Sequence, residues 1–181
     1  MQPWFIATKK LSPNNADKWQ SYIQWSGLTQ LDELVSLDSM LCPTLLPEIK
    51  DEYWSHIVEE DFMLNFFLDL DFLLGELNSN HLSEYNLLCV ERNPQSDLLP
   101  QVDHVDFEFL GYDLVDAIGS ASALSNCGGF PLVFSNEELN AKGLLSNYTR
   151  ALEVQAMLRH HYPDEPHANC HLWSISRATV L

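Results

Sequence analysis

Four stretches of this 181-residue chain hold residue types that do chemistry elsewhere. The first is "LSNCGGF", which places Cys127 before two glycines. A catalytic thiol needs a lowered pKa, supplied by a helix N-terminus, a cationic neighbour or a histidine. The flanks "ALSN" and "GGFP" hold no basic residue, and the nearest histidines in sequence are His104 and His160. No local protease signature surrounds the cysteine, so Cys127 reads as an inert residue of a tight turn. The second stretch is "RHHYPDEPHANCH", in which His160, His161, His167, Cys170 and His171 are all ligand types for a borderline metal. Its spacing fits no zinc finger or ribbon, and there is no HExxH helix. Pro163 and Pro166 make it a turn between a last helix and a last strand. The third is "FFLDLDFLL", where Asp69 and Asp71 form the acid pair that holds a divalent metal in some transferases. Neither an upstream Gly-Ser turn nor a Walker-type loop accompanies it, and on a helix the two acids do not share a face. The fourth is "DHVDFEF", whose Asp106 and Glu108 fall on one strand face with His104. That arrangement serves acid–base or metal chemistry, a solvated sheet face, or contact with a basic partner. No GxSxG elbow and no GxGxxG turn is present.

The charge is more informative than any motif. The net charge of −17 is concentrated: residues 31–120 carry 20 acids against Lys50 and Arg92, whereas residues 1–30 are net +2. Such a chain is a poor ligand for nucleic acid, which needs clustered Lys and Arg, and for an anionic membrane surface. It is suited to a basic protein partner, which the field steers at encounter, although acidity also simply aids solubility. A hydrophobic content of 46% supplies a core for one domain over residues 1–181. The longest apolar run, "FMLNFFLDLDFLLGEL", is broken by Asn65, Asp69 and Asp71, so no membrane span is expected. "WFIAT" is too short for a signal segment and precedes Lys9 and Lys10. Four scattered cysteines without a CxxC unit point to free thiols in a cytoplasmic protein.

Periodicity predicts the elements that carry these residues. "QPWFIATKK" reads as a first strand and "SPNNADKWQSYIQWSG" as a helix closed by Gly27. "ELVSLDSMLCP" alternates Val35 and Leu37 against Leu34, Ser36 and Asp38, as a strand does. Residues 51–78 read as a four-turn amphipathic helix through Met63, Phe66, Phe67, Leu70, Leu73, Leu74 and Leu77, with a strand at "FFLDLDFLL" as the competitor. "YNLLCVER" and "QVDHVDFEFLGYDLVD" read as strands joined hairpin-fashion by "NPQSDLLPQ". A glycine-rich loop, a short helix, a long helix and the closing strand "CHLWSISRATVL" follow. The expected architecture is a single α+β domain with a mixed or mostly antiparallel sheet packed with two to four helices.

The segments "FLGYDLVDAIGSASALSNCGGF" and "ELNAKGLL" resemble a pattern in small bacterial proteins of the polymorphic-toxin immunity type. The resemblance implies a cytoplasmic, non-enzymatic inhibitor that masks a toxin, in which Gly111, Tyr112, Asp113 and Asn126 shape the fold. The leading expectation is therefore an acidic binding protein without a cofactor. Its partner-facing acids would be Glu59, Glu60, Asp61 and Asp69 on the long helix, with Asp103, Asp106, Glu108, Asp113 and Asp116 around the central strand. The alternative is a metal-dependent or thiol enzyme using Asp69 and Asp71, or His161, His167 and Cys170.

Overall fold

The computed structural model describes residues 2–46, 48, 50–58, 64–77, 83–97, 102, 105–117, 121–125 and 129–179. Four strands form one sheet: β1 (Trp4–Lys9), β2 (Tyr85–Arg92), β3 (Phe107–Val115) and β4 (His171–Ala178). Their order is β1-β2-β4-β3, and every pairing is antiparallel. With three α-helices on this sheet, the fold is α+β.

The strands fall where alternation and β-branched content placed them, but β2 and β3 do not form a hairpin. β4 lies between them. Its residues Leu172–Ser176 are buried, as a central strand covered on both faces must be. The register places Cys89 opposite Ser176, two small residues between the outer strands. Phe5 and Phe107 meet on that face with ring centroids 6.1 Å apart.

One sheet face carries Phe5, Ala7, Leu87 and Cys89, which pack with Tyr53, Ile57, Phe67, Leu73 and Leu77. The other face carries Ile6, Leu88, Val90, Trp173 and Ile175, covered by Val35, Leu37, Leu64, Phe66 and Leu144. A third cluster joins α1 (Ala16–Ser26) and α3 (Tyr148–His161) to Tyr112, Leu114 and Leu172 through Ala123, Leu124, Phe130 and Val133. Gly27 ends α1 at φ 72°, and its N–H donates to the Ile23 carbonyl. Asn147 caps α3 by accepting from the Arg150 N–H at 2.9 Å.

The long helix expected over residues 51–78 does not form. A 3-10 turn occupies Asp51–Tyr53, and α2 spans only Leu70–Glu76. Phe67 instead exchanges backbone hydrogen bonds with Phe5, each 2.8 Å, on the outer edge of β1. Pairing at a sheet edge satisfies both backbone groups and buries the Phe66 and Phe67 rings at opposite faces, which a helix would not do. The strand expected around residue 35 is likewise reduced to a bridge between Leu34 and Leu11. There, hydrogen bonds from side chains replace the ladder.

One charged group closes the sheet face that lacks a helix. Glu33 accepts from Arg177 Nη1 at 2.6 Å, Lys142 Nζ at 3.1 Å and Asn86 Nδ2 at 3.3 Å. Burial alone would raise its pKa, but the hydrogen bonds and charges of Arg177 and Lys142 outweigh it and hold the carboxyl below its ordinary 4.5. A carboxylate with a depressed folded pKa adds stability that is complete above the unfolded value and is lost as pH falls through the folded one. Glu33→Gln is therefore expected to cost about 2 kcal/mol at neutral pH. The deficit should shrink in acid, which urea titrations on either side of pH 4.5 would test.

Candidate functional site

The residues proposed for metal or thiol chemistry are not brought together. Asp69 sits at the N-cap of α2, where it accepts from the Phe72 N–H at 3.1 Å and pairs with His56 Nδ1 at 3.2 Å. Those two contacts hold its carboxyl below the usual aspartate range. Asp71 lies in the first turn of α2 and is exposed, so the pair caps and solvates a helix. His161 ends α3 in solvent with its ring against His160. His167 and Cys170 are buried, and burial pushes the Cys170 thiol up to about 12. No group of three or more His, Cys, Asp and Glu side chains converges among the described residues. Cys42 and Cys89 are also buried free thiols, the latter raised by burial to about 12. Cys127 and His104 lie outside the described residues.

His167 has an unusual environment all the same. Its side chain is buried with Phe130 edge-on at 5.2 Å, and neither ring nitrogen has a hydrogen-bond partner among the described residues. Burial pushes its pKa below the ordinary 6.5, against the pull of Asp116, Glu165, Asp38 and Asp113. A histidine with a depressed folded pKa contributes its full stability above the unfolded value and loses it as pH falls. His167→Phe removes two unsatisfied buried nitrogens while keeping a planar ring. It should raise stability by about 1 kcal/mol and flatten the loss in acid. Urea midpoints above and below pH 6.5 would decide, and a destabilised variant at both would contradict this environment.

The acids divide into two populations. Asp113 is 0% exposed and Asp116 is buried, so the expectation that both face a partner is corrected. Asp113 instead ties three segments together. Oδ2 accepts from Ser36 Oγ at 2.7 Å and the Leu37 N–H at 3.0 Å; Oδ1 accepts from the Leu114 N–H at 2.8 Å and from Ser122 Oγ. Burial raises its pKa, and these four bonds oppose the rise without cancelling it. A second buried aspartate repeats the device. Asp38 Oδ1 accepts from the Met40 and Leu41 N–H groups, and Oδ2 from the Ser122 N–H and Ser125 Oγ. In the sequence Ser36 and Asp38 read as one side of an alternating strand, and only the fold reveals them as parts of a buried polar network.

The second population faces solvent. Asp106 and Glu108 are exposed around the start of β3, flanking Phe107. Asp51, Glu52 and Asp71 are exposed, and Asp69 and Glu76 are half-buried, on the layer that the 3-10 turn and α2 lay over β1 and β2. Glu76 also accepts from the Tyr53 hydroxyl at 3.2 Å. Lys50 and His56 are the basic groups of this layer among the described residues. Trp54 projects from it, 52% exposed, and Leu68, whose N–H donates to the His56 carbonyl at 2.8 Å, is also exposed. Nothing in the sequence marks Trp54, because a tryptophan in an apolar stretch reads as core. Glu59, Glu60, Asp61 and Asp103 lie outside the described residues.

No family model, no curated protein and no solved structure matches the chain. Among the described residues, no helix is long and apolar enough to cross a membrane.

Proposed function

We propose that this chain is an acidic binding protein that covers a basic protein partner, as an immunity protein covers a toxin. The observation that carries the reading is the exposed Trp54 with Asp51, Glu52, Asp69 and Asp71 on the same layer. An aromatic anchor inside a charged rim is the composition of a binding hot spot. The net −18 of residues 31–120 supplies long-range attraction for a basic surface and disfavours acidic competitors. Asp106 and Glu108 extend the acidic surface. Asp113 and Asp116, sealed in the core, take no part in it.

The partner is first captured from native cells with the tagged protein at low and high salt, then purified for kinetics. The variant Asp51→Lys, Glu52→Lys, Asp71→Lys should slow association about tenfold at low salt and flatten its salt dependence. Trp54→Ala should act on dissociation instead. All four side chains are exposed, so circular dichroism should be unchanged. A charge-reversed protein that binds the same partner at the same rate and salt dependence would dismiss the reading.

A further inference from the structure

The acidic layer leaves two of the most exposed apolar side chains unaccounted for. Trp25, 61% exposed, stands on α1 with its ring 6.2 Å from that of Tyr22. Met40, 86% exposed, stands on the turn that follows Asp38. Between them runs a groove of about 700 Å³, whose walls also include Lys9, Lys10 and Lys18. Both side chains line this one groove, and apolar side chains gathered in a groove, unlike ones scattered singly, mark an interaction site.

The groove is built rather than incidental. The Tyr22 hydroxyl donates to the Ser125 carbonyl at 3.1 Å, which anchors the α1 wall. The Met40 and Leu41 N–H groups donate to Asp38 Oδ1 at 3.0 and 3.1 Å, which anchors the other wall. Ser125 Oγ donates to Asp38 Oδ2 at 2.8 Å, so both walls rest on one buried network. Walls held this way spend little ordering entropy on binding.

Its charge runs against that of the rest of the molecule. The three lysines outnumber Asp17, the acid on the same walls, in a chain of net −17. Lys9 also lies 3.5 Å from Glu84, but both side chains are well exposed and such a pair is weak. We propose that this groove is a docking site for a peptide segment of a partner protein, carrying a bulky apolar side chain flanked by carboxylates. The apolar side chain fills the space between Trp25 and Met40, and the carboxylates meet Lys9 and Lys18. A second copy of the chain fits less well, because two molecules of this net charge repel. The groove is separate from the acidic layer, so this proposal and the preceding one stand or fall independently.

The test uses a short labelled peptide with a central leucine–phenylalanine pair between runs of glutamate, read by fluorescence anisotropy against the full chain. Two control peptides replace the glutamates by lysine, or the apolar pair by serine. Both controls should bind at least about tenfold more weakly than the parent. Trp25→Ala with Met40→Ser should weaken the parent similarly, and Lys9→Glu with Lys18→Glu should do so most at low salt. Amide shifts on adding the parent should map to α1 and residues 38–43. Equal binding of the lysine peptide, or unchanged binding by the Trp25 and Met40 variant, would overturn the proposal. So would a concentration-dependent dimer in sedimentation that this variant abolishes, since a second copy would then be the occupant.

Discussion

Asp113→Asn is expected to destabilise the protein by about 3 kcal/mol, a large share of the total for a domain of this size. The reason lies in which donors reach the carboxylate. Oδ2 takes the Leu37 N–H and Oδ1 takes the Leu114 N–H. A backbone N–H cannot reverse its polarity. Whichever way an asparagine amide turns, its NH2 therefore confronts one of them. A protonated aspartate escapes this, because each oxygen still accepts and the Ser36 or Ser122 hydroxyl turns to receive the proton. The asparagine variant should thus be nearly as damaging as Asp113→Ala, whereas Ser36→Ala, which removes one donor, should cost about 1 kcal/mol. Denaturant midpoints of the three variants give the comparison. An asparagine variant as stable as the parent would mean that the two N–H groups do not share this carboxylate.

Gly111→Ala should cost a similar amount, about 3 kcal/mol, for a steric reason. Gly111 lies where the β3–β4 register shifts and has φ 146°, which L side chains rarely adopt. A Cβ there would stand 2.7 Å from Leu144 Cβ and 2.8 Å from the Leu145 carbonyl oxygen. That oxygen accepts from the Tyr112 N–H, and the Leu145 N–H donates back to Tyr112. The segment around Leu145 therefore cannot retreat without breaking the pair that covers the outer edge of β3. Thermal unfolding should register a fall of several degrees, about 2–4 °C for each kcal/mol. Gly75, where an added Cβ meets no atom within 4 Å among the described residues beyond its chain neighbours and its own helix backbone, is the control, and its alanine variant should be neutral or slightly stabilising.

The parts of the fold that were legible in the sequence are those governed by local chemistry. All four strands, α1 with its terminal Gly27 and α3 before its proline-bounded turn follow from periodicity and caps. What failed was decided by distant partners. Phe66 and Phe67 fit a helical stripe, but the open edge of β1 claimed the backbone of Phe67, and the Phe66 carbonyl accepts from the Val58 N–H. The "NPQSDLLPQ" connection looked like a hairpin because nothing local reveals that β4, some eighty positions later, inserts between its flanks. The acidic surface was legible in part. Asp69, Asp106 and Glu108 are accessible, whereas Asp113 and Asp116 were indistinguishable from them by sequence. An aspartate in a strand reads as solvated unless its donors are known, and those of Asp113 come from Ser36, Leu37, Leu114 and Ser122. The same blindness hid Trp54 and Trp25, since an apolar residue carries no mark of whether its surroundings will cover it.

The position of β4 has a consequence for how the protein is made. β2 and β3 each keep one edge open for the same late partner until residues 171–178 have been made. Up to that moment the nascent chain displays two unpaired inner edges and a long apolar sequence, a state prone to pairing with other chains. Assembly of the sheet then hinges on one event, the arrival of the strand that pairs with both β2 and β3. Mutations in "LWSIS" should accordingly be felt more in the yield of soluble protein than in the properties of whatever molecules succeed in folding.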